Sequence, residues 1–226
     1  MFFLSTRNKH LPEAKNRTIL IIGGTGVLGT AFLSQKPEDA FIINISKEGN
    51  IPTRMGLSIR HDICKNPEKL IYKIARIVPM IDVLITMAYD HSFSSVENLQ
   101  HDTFLREVEL DTYLPMKLSV VCAERFWSKE DRQINIKKGR KVIHISSGAA
   151  FGKTSRPELA SYSGAKAALN IMTEYLHDYL YSSVGVSAHI VAPGALKEKD
   201  ILQEAVDVLW GLEKAPATKY TITKVF

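Results

Sequence analysis

Several large protein classes are excluded by what this chain has little of. Only two of its 226 residues are cysteine, Cys64 and Cys122, far apart and without metal-type spacing. That usage rules out a disulfide-stapled secreted scaffold and suits a reducing compartment, with the thiols expected in the core or near the surface. No run approaches about 18 consecutive apolar residues, so no membrane contact is expected. The apolar start Met1-Phe2-Phe3-Leu4-Ser5 is far too short for a signal peptide, and the expected location is cytoplasmic. Charge of one sign is scarce too: a formal +5 is mild and lacks the concentrated basic face of a nucleic-acid binder. The one Lys-rich stretch, Ser128–Arg140, carries no interleaved aromatic residues and reads as a solvated loop. There is no internal repeat and no low-complexity tract. His61, His144 and His189 fall in or beside expected strands and read as core or strand-end residues, while His91 and His101 lack a partner spacing, so no metal site is expected.

What is present is regular. Hydrophobic residues make up 45% of the chain, enough to bury the core of one α/β domain of this length. Residues 1–17 carry charges and a proline with no clear period and read as a flexible arm; residues 18–226 read as a single domain. Thr18–Ile22 is an unbroken apolar run, as expected of a parallel strand covered on both faces. Further strands are expected at Phe41–Ile45, Leu57–His61, Asp82–Thr86, Lys141–Ile145 and Val186–Val191, with a last one at Tyr220–Phe226. Helical spacing marks a helix opening at Val27, then Pro67–Ile77, one long helix over Thr103–Trp127, Ser161–Tyr181 and Ile201–Leu212. Strands alternating with helices imply right-handed crossovers and a mostly parallel, doubly wound sheet flanked by helices.

Between the first strand and its helix lies Gly23-Gly24-Thr25-Gly26-Val27-Leu28-Gly29, a G-x-x-G-x-x-G turn. Side chains on such a turn would block a pyrophosphate, and the last glycine lets helix and strand pack closely. The helix N-terminus then offers unbonded N–H groups and a partial positive charge to phosphates. Strand, glycines and helix in that order are the context of a Rossmann-type dinucleotide site. The second strand ends in Ser46-Lys47, with no acidic residue before Glu48. An acid there would bind a ribose 2′-hydroxyl and repel a 2′-phosphate; a hydroxyl and an ammonium favour NADP(H) over NAD(H).

Tyr162 and Lys166 stand four residues apart at the start of a strongly helical segment and share one face. A neighbouring ammonium, with the positive nicotinamide of an oxidised cofactor, stabilises a phenolate, and such a tyrosine can pass a proton to or from a carbonyl oxygen while hydride moves. Upstream, the fifth strand ends in Ile145-Ser146-Ser147-Gly148; downstream, the sixth ends in Ala192-Pro193-Gly194. Three strand ends converge on the sheet edge where ligands bind in such folds.

In this order of motifs the chain resembles a short-chain dehydrogenase/reductase from Thr18 to Phe226. The resemblance implies that Tyr162 is the general acid/base, that Lys166 supports it and binds the nicotinamide ribose, and that Ser147 orients the substrate carbonyl. It implies that Asp62-Ile63 contacts adenine and that Pro193-Gly194 forms the nicotinamide-side turn. The family's Asn-Asn-Ala-Gly after the fourth strand appears as Thr86-Met87-Ala88-Tyr89, keeping only Ala88; Met87 and Tyr89 either line the nicotinamide pocket or pack. The helix asparagine of its proton relay is replaced by Asp111, with Glu109 the alternative register. An ionised Asp cannot donate, so the relay is expected to be altered. The threonine after Pro-Gly is missing, with Lys197-Glu198 near its place, and only Ala195–Lys199 stand where many relatives have a long lid. The crevice is therefore expected to be open, suiting a bulky or carrier-presented substrate, or one completed by another subunit. Homodimers or homotetramers built through the Tyr-Lys helix are the family's usual assemblies. The implied activity is NADP(H)-dependent interconversion of a carbonyl and an alcohol, or reduction of a related small substrate such as a pteridine. The alternative is an NADP(H)-binding sensor or scaffold with weak or no turnover. Relatives that epimerise or dehydrate nucleotide sugars carry a further substrate domain for which these residues leave no room.

Overall fold

A computed structural model describes residues 17–35, 39–48, 56–89, 93–152 and 154–226. The seven strands are β1 (Arg17–Ile22), β2 (Ala40–Ser46), β3 (Gly56–Arg60), β4 (Val83–Thr86), β5 (Lys141–Ile145), β6 (Ser187–Pro193) and β7 (Thr221–Val225). They form one sheet in the order β3-β2-β1-β4-β5-β6-β7, and every pairing is parallel. The order reverses between β1 and β4, which opens a crevice at the carboxyl ends of the strands. The helices are α1 (Val27–Ser34), α2 (Pro67–Ile74), α3 (His101–Val108), α4 (Leu114–Arg125), α5 (Arg132–Lys137), α6 (Ala160–Val184) and α7 (Lys199–Lys214).

Helices cover both faces, so the central strands are apolar throughout instead of alternating. Leu20 and Ile22 of β1 join the core under α2, α4 and α6. Their neighbours Ile19 and Ile21 join the core under α1 and α7, where Phe32 and Trp210 stack at 3.9 Å. The expected strands all form, and β1 begins at Arg17, the last residue of the expected arm; residues 1–16 lie outside those described, as does His91.

Two local expectations are corrected. The helix read as continuous over Thr103–Trp127 is α3, a π-helical turn over Glu109–Tyr113, and α4, which ends at Arg125. Pro115 is the cause: it has no N–H for the carbonyl four residues back, at Asp111, and its ring clashes with that group unless the turn widens. The stretch Ser128–Arg140 is not a solvated loop. Asp131 caps α5 by accepting the Gln133 N–H at 2.7 Å. Asn135, wholly buried, donates to the carbonyls of Trp127 and Val184 at 2.9 and 2.7 Å. Arg140 is buried against Glu130 at 2.7 Å and Asp82 at 3.2 Å. Polar composition hid a satisfied buried network.

The amino ends of the strands are locked by two further cations. Arg17 pairs with Glu213 and donates to the carbonyls of Lys138, Gly139 and Glu213. Lys141, buried at the start of β5, donates to the carbonyls of Leu212, at 2.6 Å, and Ala215. Both charges sit at the C-terminus of α7, where the last carbonyls need donors and the helix dipole favours cations.

His144 and His189 are buried strand residues, as expected. Burial, reinforced by Lys166, lowers the His144 pKa to about 3. Burial, with Lys141 and His177, lowers that of His189 to about 4. Unfolded histidine protonates near 6.5. The stability from these neutral rings is therefore complete above about pH 6.5 and is lost as pH falls toward 4, because only the unfolded chain binds the protons there. For His189 the loss is on the order of 3 kcal/mol. Thermal unfolding should show a melting temperature that falls between pH 6.5 and 4, and His189→Gln should flatten that fall; an unchanged slope would refute the assignment.

Candidate active site

At the glycine turn the backbone runs closer to its neighbours than any side chain allows. Gly23 has φ +88°, and a Cβ there would lie 2.5 Å from the Ala88 backbone. The Gly24 N–H donates to Asn44 Oδ1 at 3.0 Å, and a Cβ on Gly29 would lie 2.5 Å from Gly24 Cα. Gly26 differs: a Cβ there would meet nothing within 4 Å. It caps α1 with extended backbone and no side-chain bond. The first N–H groups of α1 therefore face open space beside a cradle with no side chain in it, as a diphosphate requires. Thr25 is half-buried and Val27 exposed, while Leu28 turns its side chain into the core and offers only its N–H.

The carboxyl ends of β2 and β3 come together next. Ser46 is buried, its carbonyl accepting the His61 N–H at 2.9 Å. Lys47 lies 3.7 Å from Asp62, with both side chains partly exposed. Asp62 accepts the Cys64 N–H at 3.2 Å, and Ile63 is buried. The sequence reading missed Arg60, which pairs in register with Ser46 and donates to the Lys47 carbonyl at 3.1 Å. Its position as last residue of β3, facing the end of β2, is the signal that points to it.

The second cluster is built on α6. Lys166 is almost wholly buried, and its ammonium lies 2.9 Å from both the Ile145 carbonyl and Asp111 Oδ1. Burial works against the charge, but Asp111 and then Tyr162 outweigh it and raise the Lys166 pKa. The π turn makes this contact possible, and Thr112 fixes it by donating to the Ala165 carbonyl at 2.7 Å. The structure thus brings Asp111 to Lys166 and leaves Glu109 exposed. The same ammonium lies 5.7 Å from the Tyr162 ring centroid.

Tyr162 packs edge-on to Phe93 at 5.2 Å and lies 6.4 Å from Tyr89. Burial, and then Tyr162, raise the Tyr89 phenol, with Lys166 opposing. Phe93 was also missed: it lies in irregular chain with no periodic signal. It is held because Ser94 and Ser161 exchange hydrogen bonds, the Ser161 hydroxyl donating to the Ser94 carbonyl at 3.2 Å and accepting the Ser94 N–H at 3.3 Å. Met87 is buried in the core, so packing explains it. Thr86 meets His144 Nδ1 at 2.6 Å.

Of the two serines, Ser146 is buried and donates to the Lys166 carbonyl at 3.4 Å, while Ser147 is half-buried and accepts the Ala149 N–H at 3.2 Å. Pro193 ends β6, and the Gly194 N–H donates to the Val225 carbonyl at 2.7 Å. The lid position holds a single turn closed by Glu198 N–H on the Ala195 carbonyl at 2.9 Å. A groove of about 890 Å³ opens elsewhere, between Ala149–Ala150, Thr154–Pro157 and the face of α6 carrying Ser163, Gly164 and Ala167; Ser147, Tyr162 and Lys166 do not line it. Among the described residues no helix is long and apolar enough to cross a membrane.

A sequence profile described as short chain dehydrogenase matches residues 57–207. The chain belongs to this family. The matched span takes in Asp111, Ser147, Tyr162 and Lys166 and begins after the glycine turn. An uncharacterized oxidoreductase of Haemophilus influenzae is 43% identical over 60 residues, so the match spans a fifth of that protein's length and 26% of this chain. An NADH-dependent reductase, A1-R′, complexed with NAD superposes with TM-score 0.77 at 20% identity, over 93% of this chain and 95% of that one. A 3-oxoacyl-[acyl-carrier protein] reductase from Brucella melitensis gives TM-score 0.76 at 13% identity, over 94% and 96%. A short-chain dehydrogenase/reductase mutant from Serratia marcescens gives 0.75 at 15%, over 94% and 97%. These likenesses establish the fold.

The family is one of oxidoreductases whose cofactor is a nicotinamide dinucleotide, and the bare cradle at Gly26 fits such a group. The ammonium–carboxylate pair of Lys166 and Asp111 is almost wholly buried, so removing one partner strands the other charge. Asp111→Ala should lower the unfolding free energy by about 3–5 kcal/mol, whereas the near-isosteric Asp111→Asn should cost clearly less. Denaturant unfolding of both variants checks this, and equal losses would contradict it.

Proposed function

We propose that the chain is an NADP(H)-dependent oxidoreductase interconverting a carbonyl and an alcohol. The observation that carries the reading is Tyr162 beside the buried Lys166 ammonium, 5.7 Å from its ring, at the carboxyl edge of the sheet. The α1 N-terminus at Gly26, Val27, Leu28 and Gly29 would hold the diphosphate. Lys47 and Arg60, with Ser46, would hold a 2′-phosphate, and Asp62-Ile63 the adenine. Ala88, Pro193-Gly194 and Lys166 would hold the nicotinamide half. Bound there, the dinucleotide would supply or accept the hydride. Ser147 donates a hydrogen bond to the carbonyl oxygen and fixes its direction. In reduction Tyr162 gives its proton to that oxygen, and Lys166 steadies the phenolate left behind; in oxidation the proton returns from the alcohol. Asp111 keeps Lys166 charged and in place, so it positions the lysine and does not touch the substrate.

Tyr162→Phe should lower kcat by roughly 10²–10⁴ without weakening NADPH binding, measured as NADPH oxidation against a panel of aldehydes and ketones. Full turnover by the variant would sink the mechanism. A sensor that binds without turnover is the second reading, favoured by Thr86-Met87-Ala88-Tyr89 and by a carboxylate at position 111; tight NADPH binding with no turnover on the whole panel would select it.

The preference for NADP(H) rests on the two cations at the ends of β2 and β3. Removing both, as Lys47→Ala with Arg60→Ala, should weaken NADPH binding by about tenfold or more and leave NADH binding within about twofold. Fluorescence titration reads both. Equal losses for the two cofactors would remove the 2′-phosphate from the assignment.

We also propose a homo-oligomer joined through α6. Leu169, Leu176 and Leu180 of that helix face the core, whereas Ile171, Tyr175 and Tyr179, spaced four apart, form an exposed apolar stripe on another face.

A further inference from the structure

We propose that Phe226 is a specificity-determining wall of the substrate pocket, standing beside the single turn at the lid position, and that it selects carbonyl compounds with a flat aromatic substituent. The inference rests on the carbonyl reading above. β7 runs parallel to β6 with Val225 opposite Pro193, so the residue after Val225 emerges at the carboxyl edge of the sheet, beside the Gly194 turn. The Gly194 N–H donates to the Val225 carbonyl at 2.7 Å and ties that end of the strand down. From there Phe226 reaches across to the other side of the site. A Cβ on Gly148 would lie 2.7 Å from the Phe226 ring, and Gly148 directly follows Ser147. Phe226 therefore bridges the two strand ends between which a substrate would meet Ser147 and Tyr162.

The ring is held but not buried. Its edge meets Phe151 at 6.5 Å, and Lys224 lies 4.0 Å over the Phe151 ring. Val225 is fully buried, whereas Phe226 is 64% exposed. A ring serving only the core would be buried with Val225. Phe151 and Tyr89 are also exposed aromatics at this edge, and Tyr89 with Phe93 borders Tyr162. An aromatic substituent placed among these rings gains offset or edge-to-face contacts that a small aliphatic one lacks. Gly148 fits the same picture, because any side chain there would displace the ring.

The test pairs turnover with binding. Wild type, Phe226→Ala, Gly148→Ala and the double variant are compared for benzaldehyde against propanal with NADPH. In parallel, 4-fluoroacetophenone binding is followed by fluorine NMR in the presence of NADPH. Phe226→Ala should raise KM for benzaldehyde about threefold to tenfold, leave kcat and the propanal KM within about twofold, and weaken 4-fluoroacetophenone binding to the same extent. Gly148→Ala should shift the selectivity alone but not in the Phe226→Ala background, while NADPH affinity stays constant throughout. Unchanged aldehyde selectivity and unchanged ketone binding in Phe226→Ala would overturn the inference. If wild type binds the fluoroketone through Phe226 yet turns over neither aldehyde, the wall stands and the carbonyl-reduction reading falls.

Discussion

An ammonium held out of water needs partners, and much of this architecture supplies them to Lys166. Its charge is retained because the Asp111 carboxylate and the Ile145 carbonyl both stand 2.9 Å away. The carbonyl comes from the end of β5. The carboxylate comes from a helix that must open by a π turn to present it, and the turn opens because Pro115 obstructs the carbonyl at Asp111. Thr112 then bolts the turn to α6. A sheet end, a helix irregularity and a helix docking are thus fixed by one charge, and a change to any of them reaches the face on which Tyr162 sits.

That degree of constraint separates the two ends of the strands. At the amino ends Arg17, Arg140 and Lys141 are tied into carboxylates and helix carbonyls, so the sheet and α7 form one block. The carboxyl ends hold their polar groups nearer the surface: Lys47 with Asp62, Arg60 on a carbonyl, Ser147 half-buried. A rigid block under a less committed rim is the arrangement a binding edge needs, because rim groups can change partners without loosening the sheet.

The fold was legible because its signal is local. An apolar strand covered on both faces reads as an unbroken run, and Ile19–Ile22 could mean little else. The glycine turn was legible because backbone approach leaves no alternative residue: Gly23, Gly24 and Gly29 each meet backbone or side-chain atoms that a Cβ would strike. Tyr162 and Lys166 showed themselves by helical spacing. The π turn escaped because apolar periodicity runs through it, although Pro115 carried the warning. Ser128–Arg140 escaped because composition does not distinguish a solvated charge from one matched across the fold, and Arg140 finds Asp82 from 58 positions away. Arg60, Phe93 and Phe226 escaped for the same reason: each acquires its meaning from a neighbour distant in sequence.

The two halves of the crevice are built on opposite terms. On the cofactor side the backbone is tight at three glycines and open at one, a shape that suits a diphosphate. On the substrate side the described residues place a single turn at the lid position, and the wall proposed above is made of exposed rings that follow β7 and β5, Phe226 and Phe151. An aromatic ring at such a rim loses few rotamers when it meets a ligand, so it can wall a pocket without the folding of a loop. The diphosphate is thus assigned to backbone, whereas in the proposed function the 2′-phosphate and the substrate are met by a few side chains. That division lets the binding edge change its substrate while Lys166 and its partners stay as they are.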